Sequence, residues 1–298
     1  MTEIIYREVS DKVESLPRGR RISVNGVLNK LGVSRSGYYD WKNRKPSEQY
    51  KRRERVKSEI RKIYDDNKGI YGAPKITAVL RKQGETISER SVTKYMKSMG
   101  IRACYTAPYT RTTISREFNE ELHNILKRDF TPKKPNSVWC TDITYIWTKE
   151  GFMYLSCIMD LYSRKIVAWN LARTLETSHV VDAINKALFR TSGIRPAIIH
   201  TDRGVQYTSD AYAKATQGIE RSYSRKGNPW DNACIESFHA LIKREWLNRF
   251  VMKGYEDAYR RIFEYIDAYY NTRRIHSHCG YLSPTDFEKE YYAGKESA

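Results

Sequence analysis

The sequence predicts an all-α helix-turn-helix region followed by an α/β domain, a mixed sheet flanked by helices. Three observations predict it. Apolar residues recur at helical spacing, interrupted by glycine turns, through residues 22–103. From residue 138 the period changes to strand-length runs of β-branched and aromatic residues. The net charge of +18 is also lopsided, with 31 Lys+Arg against 16 Asp+Glu in residues 1–140 but 22 against 19 in 141–298. A basic first half calls for a polyanionic partner, nucleic acid above all.

The helical region reads in two rounds. Ser23 caps a short helix with Val24, Val27, Leu28 and Leu31 as its apolar side. Gly32 then turns the chain, and Ser34 caps a second helix with Tyr38 and Trp41 facing in. A charged helix follows over 50–65, striped by Val56, Ile60, Ile63 and Tyr64. The grammar then repeats in 71–103: Ile76, Val79 and Leu80 face inward, Gly84 breaks the helix, and Ser88 caps the next. The buried side of that last helix is Val92, Tyr95, Met96 and Met99. Its open side offers Arg90, Thr93, Lys94 and Lys97, cations for phosphates and polar groups for base edges. Arg35, in the first turn of the earlier capped helix, is the corresponding DNA-contact candidate there. The expected domains are a helix-turn-helix over 1–48, a second helix-turn-helix-like region over 49–104, a linker over 105–135, an α/β core over 136–250 and a helical extension over 251–298. The "TPKKPNS" at the linker's end marks the boundary.

In the second half, strands are predicted over 138–147, 152–161 and 165–172, with a tight turn at Tyr162–Lys165 before the third. A helix over 178–190, a buried strand over 196–202, a helix over 209–217 and a strand over 220–224 follow. Helices over 231–247 and from Tyr255 to Tyr270 close the order. Three strands in meander and then alternating units give a mixed sheet covered on both sides.

Three carboxylates stand out against this frame. Asp142 interrupts an apolar strand and by alternation shares a face with Cys140 and Ile146, which is costly unless it is paired or holds a metal. Asp202 ends a buried strand, where ligands gather in open α/β sheets, although an Asx turn before Gly204 explains it too. Glu236 borders the helical stripe of Ile235, Phe238, Ile242 and Trp246, with Lys243 on its own side two turns on. Two strand aspartates and a helix glutamate form an all-oxygen set suited to Mg²⁺. Two such ions serve in-line phosphoryl transfer, with Mn²⁺ as a substitute.

These blocks carry a resemblance. "WCTDITYI" (139–146), "HTDRGVQYTS" (200–209), "SRKGNPWDNACIESFHALIKREW" (224–246) and "YYNTRRIHSHCGYLSPTDF" (269–287) resemble those of the OrfB-type transposases of bacterial insertion sequences. "SRSGYYDWKNR" (34–44) and "YGAPKITAVLR" (71–81) resemble that family's N-terminal region. The resemblance implies a ribonuclease-H-like fold similar to retroviral integrase, with a metal-binding catalytic triad of Asp142, Asp202 and Glu236. It makes Lys243 a residue near the bound DNA end. It further implies double-stranded DNA as partner, both terminal inverted repeats and target, and a homo-oligomer pairing two ends. An upstream-frame protein, separate or fused, is implied as well. Thirty-three residues separate Asp202 from Glu236, two fewer than is usual, and the shortening falls in 210–219. Cys279 stands where leucine is usual.

Two rivals remain, a hydrolytic nuclease of the same fold and a non-catalytic DNA-binding regulator descended from a transposase. The paired helix-turn-helix units argue against the first and the complete triad against the second. Five scattered cysteines without a CxxC argue against both a disulfide framework and a zinc site. No apolar run approaches a membrane span. The expectation is a bacterial cytoplasmic protein, nucleoid-associated when bound, with no membrane partner.

Overall fold

A computed structural model describes residues 2–15, 22–104 and 122–296. The chain divides into two compact units, Met1–Lys62 and Ile63–Ala298.

In the first unit, α1 (Thr2–Glu14), α2 (Val24–Lys30) and α3 (Arg35–Asn43) bury Tyr6, Val9, Leu28 and Tyr38 together. Ser23 and Ser34 cap α2 and α3 as predicted, each hydroxyl accepting from the backbone N–H three residues on. Gly32, between them, has φ +64°, a conformation a side chain disfavours. α4 (Glu48–Asp66) carries the last residues of this unit and the first of the next.

The second unit begins with α5 (Ala73–Lys82) and α6 (Glu89–Ser98), which bury Ile76, Leu80, Val92 and Met96. Gly84 turns between them at φ +88°, and the Ser88 hydroxyl caps α6.

Five strands follow: β1 (Val138–Thr148), β2 (Gly151–Asp160), β3 (Ile166–Ala172), β4 (Ile198–Thr201) and β5 (Glu220–Tyr223). Their spatial order is β3-β2-β1-β4-β5, with β1, β2 and β3 antiparallel and β4 and β5 parallel to β1. This meander extended by parallel strands is the ribonuclease-H-like sheet that the resemblance implied. α7 (Thr177–Arg190) packs Val180, Ala183, Ile184 and Ala187 onto one face, against Trp139, Ile158 and Ile199. α8 (Asp210–Ala215) adds Tyr212 to the same core. α9 (Ala233–Glu245) also packs on β1, and its stripe of Ile235, Phe238 and Ile242 is fully buried. α10 (Tyr255–Tyr265), a π-helical turn over Ile266–Tyr270, and α11 (Pro284–Glu296) complete the unit.

Two features of this sheet bear on function. Along β1, β4 pairs with Val138–Cys140 alone, and the pairing of β3 with β2 stops at Tyr154. Among the described residues the far ends of β1 and β2 therefore pair only with each other and form a two-stranded arm. At the opposite edge, residues 122–130 lie along β5. Tyr223 N–H donates to His123 O at 2.9 Å, the Ile125 and Leu126 amides donate to Ser222 Oγ, and Leu126 is buried. The rest of the expected linker, 105–121, lies outside the described residues.

Candidate active site

Parallel pairing of β1 and β4 sets the first two carboxylates side by side. Cys140 is opposite His200, so two residues on in each chain Asp142 is level with Asp202. On β1, Cys140 and Ile146 are buried on the face that Asp142 shares by alternation. The Asp202 carboxylate folds back to accept from the Gly204 N–H at 2.9 Å. The Asx turn expected as an alternative role is thus present together with the strand-end position. Glu236 enters from the first turn of α9.

The three carboxylates feel one another. Burial, then the charge of Asp142, pushes Asp202 up to about 6, against the pull of the Gly204 N–H. Desolvation, then Asp142 and then Asp202, pushes Glu236 up to about 7. Like charges gathered to this degree are costly unless a proton or a cation offsets them. Among the described residues, no group of three His, Cys, Asp or Glu is drawn close enough to hold a metal ion directly. The donor chemistry nevertheless fits a hard divalent cation, because all the acceptors are carboxylate oxygens that repel one another.

Neighbouring groups hold the site in place. His239, buried one turn after Glu236, sets Nδ1 3.3 Å from Asp142 Oδ2, while its Nε2 has no hydrogen-bond partner among the described residues. Lys243 is half-buried; desolvation lowers its proton affinity and the charge of Asp142 opposes that loss. His200 is fully buried between Ser222 Oγ (2.8 Å) and Ser224 Oγ (3.2 Å), as a packing histidine. Cys279 is buried, its thiol directed to Ser163 O.

The strongest support lies in the turn before α9, where sequence reasoning found nothing. Asp231 is completely buried, and its carboxylate accepts from the Arg225 backbone N–H and guanidinium, from Arg128 Nε at 2.6 Å and from Asn124 Nδ2 at 2.8 Å. The Arg225 bonds, assisted by Arg128 and Asn124, hold its pKa far below the carboxylate range. Asp231 thus clasps residues 124–128 to the turn that launches Glu236. At the other end of α9, Glu245 is buried against Arg274, with bonds of 2.7 and 2.6 Å, and accepts from Tyr265 Oη at 2.6 Å. Only the "DN" of the turn signals Asp231 in sequence, and two of its partners, Asn124 and Arg128, are about a hundred residues away.

Comparisons with known proteins give the family. Residues 132–229 and 217–284 match integrase core domain families, and residues 51–109 match an HTH-like domain. The chain is similar to the transposase for insertion sequence element IS904 of Lactococcus lactis subsp. lactis (strain IL1403), at 39% identity over 249 residues, covering 83% of this chain and 98% of that protein. The chain belongs to the insertion-sequence transposase family.

Transposase InsF for insertion sequence IS3A of Escherichia coli (strain K12) is 34% identical over 275 residues, 91% of this chain and 96% of that protein. Among solved structures, the HTLV-2 integrase catalytic core domain in complex with magnesium (trimeric form) is 16% identical, with a TM-score of 0.42, covering 52% of this chain and 98% of that one. An insertion-sequence transposase with an integrase core is a polynucleotidyl transferase acting on DNA. The sequence-predicted DNA contacts of this transposase, Arg35 on α3 and Arg90, Thr93, Lys94 and Lys97 on α6, are all exposed. No helix among the described residues is long and apolar enough to cross a membrane.

Proposed function

We propose that this transposase cuts DNA at the terminal inverted repeats of an insertion sequence and joins the freed 3′-hydroxyl to another phosphodiester. Asp142, Asp202 and Glu236 are its catalytic carboxylates and hold Mg²⁺, two ions in the full site, with Mn²⁺ as a substitute. The observation that carries this reading is the mutual charge of the three groups, which raises Asp202 and Glu236 well above ordinary carboxylates. Bound Mg²⁺ supplies activation of the attacking oxygen and stabilisation of the leaving one.

The chain's own residues do the rest. His239 steadies Asp142, Asp231 fixes the turn before Glu236, and Gly204 orients Asp202. Lys243, two turns below Glu236, contacts a phosphate or base beside the cut. Arg90, Thr93, Lys94 and Lys97 on α6, with Arg35 on α3, contact the terminal repeat. The working form is a homo-oligomer that pairs two element ends on the nucleoid in the cytoplasm, with an upstream-frame protein as a further partner.

The test uses labelled element-end DNA with Mg²⁺ and the variants Asp142→Asn, Asp202→Asn and Glu236→Gln. Each removes a negative oxygen ligand at constant size, so each is expected to abolish cleavage and joining while end binding persists. Cleavage near the wild-type rate by any one variant removes that residue from the site. Cleavage without joining by the wild-type chain favours the hydrolytic nuclease, and metal-independent binding with neither activity favours the regulator.

A further inference from the structure

The α5–α6 pair is seated against the end of α9 that carries Glu245, at a seam the function so far does not use. Tyr71 immediately precedes Gly72, the N-cap of α5, and is 2% exposed. Its hydroxyl donates to Arg273 O at 3.2 Å and accepts from the Ile275 N–H at 2.9 Å. It thus brackets Arg274, the partner of Glu245. Further contacts run along the same seam. Tyr269 Oη donates to Asn67 Oδ1 at 3.4 Å, the Lys68 ammonium lies 4.4 Å from the Trp246 ring centroid, and the Cys104 thiol donates to Arg244 O at 3.4 Å. The Cys104 N–H also donates to Gly69 O at 2.9 Å, so the chain entering α5 and the chain leaving α6 meet at this place. Little water reaches it. Burial, then the charge of Arg274, pushes Lys75 down to about 7, and its ammonium sits 5.0 Å from the centre of the Tyr71 ring.

We propose that Tyr71 is a positioning residue that fixes the α5–α6 pair to the catalytic core, so that the fold itself sets the distance between the bases met by α6 and the phosphodiester that is cut. Modules within one chain move against each other unless an interface holds them. Both partners of the Tyr71 hydroxyl are backbone groups, which cannot rotate away as side chains can. From Tyr71 the contacts pass to Arg273–Ile275, through Arg274 to Glu245, and along α9 to Lys243 and Glu236. Glu245 and Glu236 are nine residues apart on one helix, a stiff span of about 14 Å. In-line attack tolerates little error, since a misplacement of about 1 Å can cost on the order of a hundredfold in rate. A reader free to swing would offer the carboxylates several phosphates in turn. One seated on α9 offers a single phosphate.

The inference rests on the DNA-cleaving reading of the carboxylates and on α6 as the DNA reader, so one arm of its test is independent of cleavage. The full chain carries spin labels on unnatural side chains at the exposed positions 83, at the end of α5, and 217, just before β5. Their distance distribution by pulsed electron resonance is expected to be narrow in the wild type. It is expected to broaden in Tyr71→Phe, where two lost hydrogen bonds shift the seated-to-free ratio by roughly five- to a hundredfold. In the second arm, two base pairs are inserted between the α6 footprint and the cut in labelled element-end DNA with Mg²⁺. The wild-type cut is expected to move two nucleotides from the element end and so keep its distance from the footprint. Tyr71→Phe is expected to spread cuts over neighbouring phosphodiesters. Lys68→Gln, a surface change that leaves the core filled, is expected to spread them less. A broad distribution in the wild type, or a cut that stays at the element end despite the insertion, overturns the inference. So do variants that melt lower or cut more slowly yet keep a single position, which makes the seam a matter of stability alone. A chain that cuts nowhere refutes the carboxylate reading, and the label distances then judge Tyr71 by themselves.

Discussion

Replacing Arg274 by methionine removes the cation from a carboxylate that water cannot reach. Glu245 and Arg274 are 7% and 6% exposed at their side chains and share two bonds, with the Tyr265 hydroxyl as a third donor. Breaking a buried pair from one side costs about 3–5 kcal/mol, because the remaining charge is left desolvated. For a unit of this size, about 2–4 °C of melting temperature per kcal/mol places the drop at roughly 6–20 °C. The penalty should depend on pH. Burial raises the affinity of Glu245 for a proton, but its bonds to Arg274 reverse this and leave the pKa below its ordinary value. In the wild type its contribution is therefore complete above the unfolded carboxylate value and lost as pH falls through the lower folded one. In Arg274→Met that support is gone, so the gap between the two proteins should narrow on acidification. A Glu245→Leu/Arg274→Met pair should recover most of the loss, since apolar groups of similar size need no partner. Thermal melts across a pH series decide the matter. An Arg274→Met protein that melts with the wild type at neutral pH, or a double variant worse than both singles, refutes the argument.

Phe238→Ala should destabilise by about 3–5 kcal/mol, because the ring is 1% exposed and packs edge-on to Tyr270 at 4.7 Å; an unchanged melt would mean that α9 sits otherwise. Lys243→Ala should weaken strand transfer while leaving metal binding by calorimetry intact, and wild-type joining would remove Lys243 from the DNA path. Gly204→Ala would set a new carbon 3.1 Å from Asp202 Oδ1, so cleavage should fall with little change in melting. Ser88→Ala should cost about 1 kcal/mol by uncapping α6. DNA affinity should fall with salt at a log–log slope of about −0.9 for each phosphate contact, whereas a flat salt profile would point to another partner.

Much of this was legible in the residues because local physics announces itself. Ser23, Ser34 and Ser88 begin helices where their hydroxyls meet a free N–H, and Gly32 and Gly84 sit in turns of positive φ. Asp142 and Asp202 are conspicuous as charges in apolar strands, and the stripe on α9 gives its buried side directly. What escaped was built from distance or lacked punctuation. The pairing of Tyr6 and Val9 on α1 with Leu28 and Tyr38 left no signal beyond apolar spacing. Asp231 meets Arg128 and Asn124 across more than a hundred residues, and no periodicity reports that. His239 is one turn from Glu236, but its approach to Asp142 depends on how α9 crosses the sheet.

The clasps at the two ends of α9 also impose an order of assembly. Its first turn waits for residues 124–128 to close on Asp231, and its last turn waits for Arg274, twenty-nine positions beyond Glu245. A chain emerging from the ribosome thus carries Asp142 and Asp202 well before anything holds Glu236 in register with them. Such long-range closures form late in folding. The three carboxylates are therefore not held together in a half-made chain, and Glu236 is fixed in place only once Arg274 has reached α9.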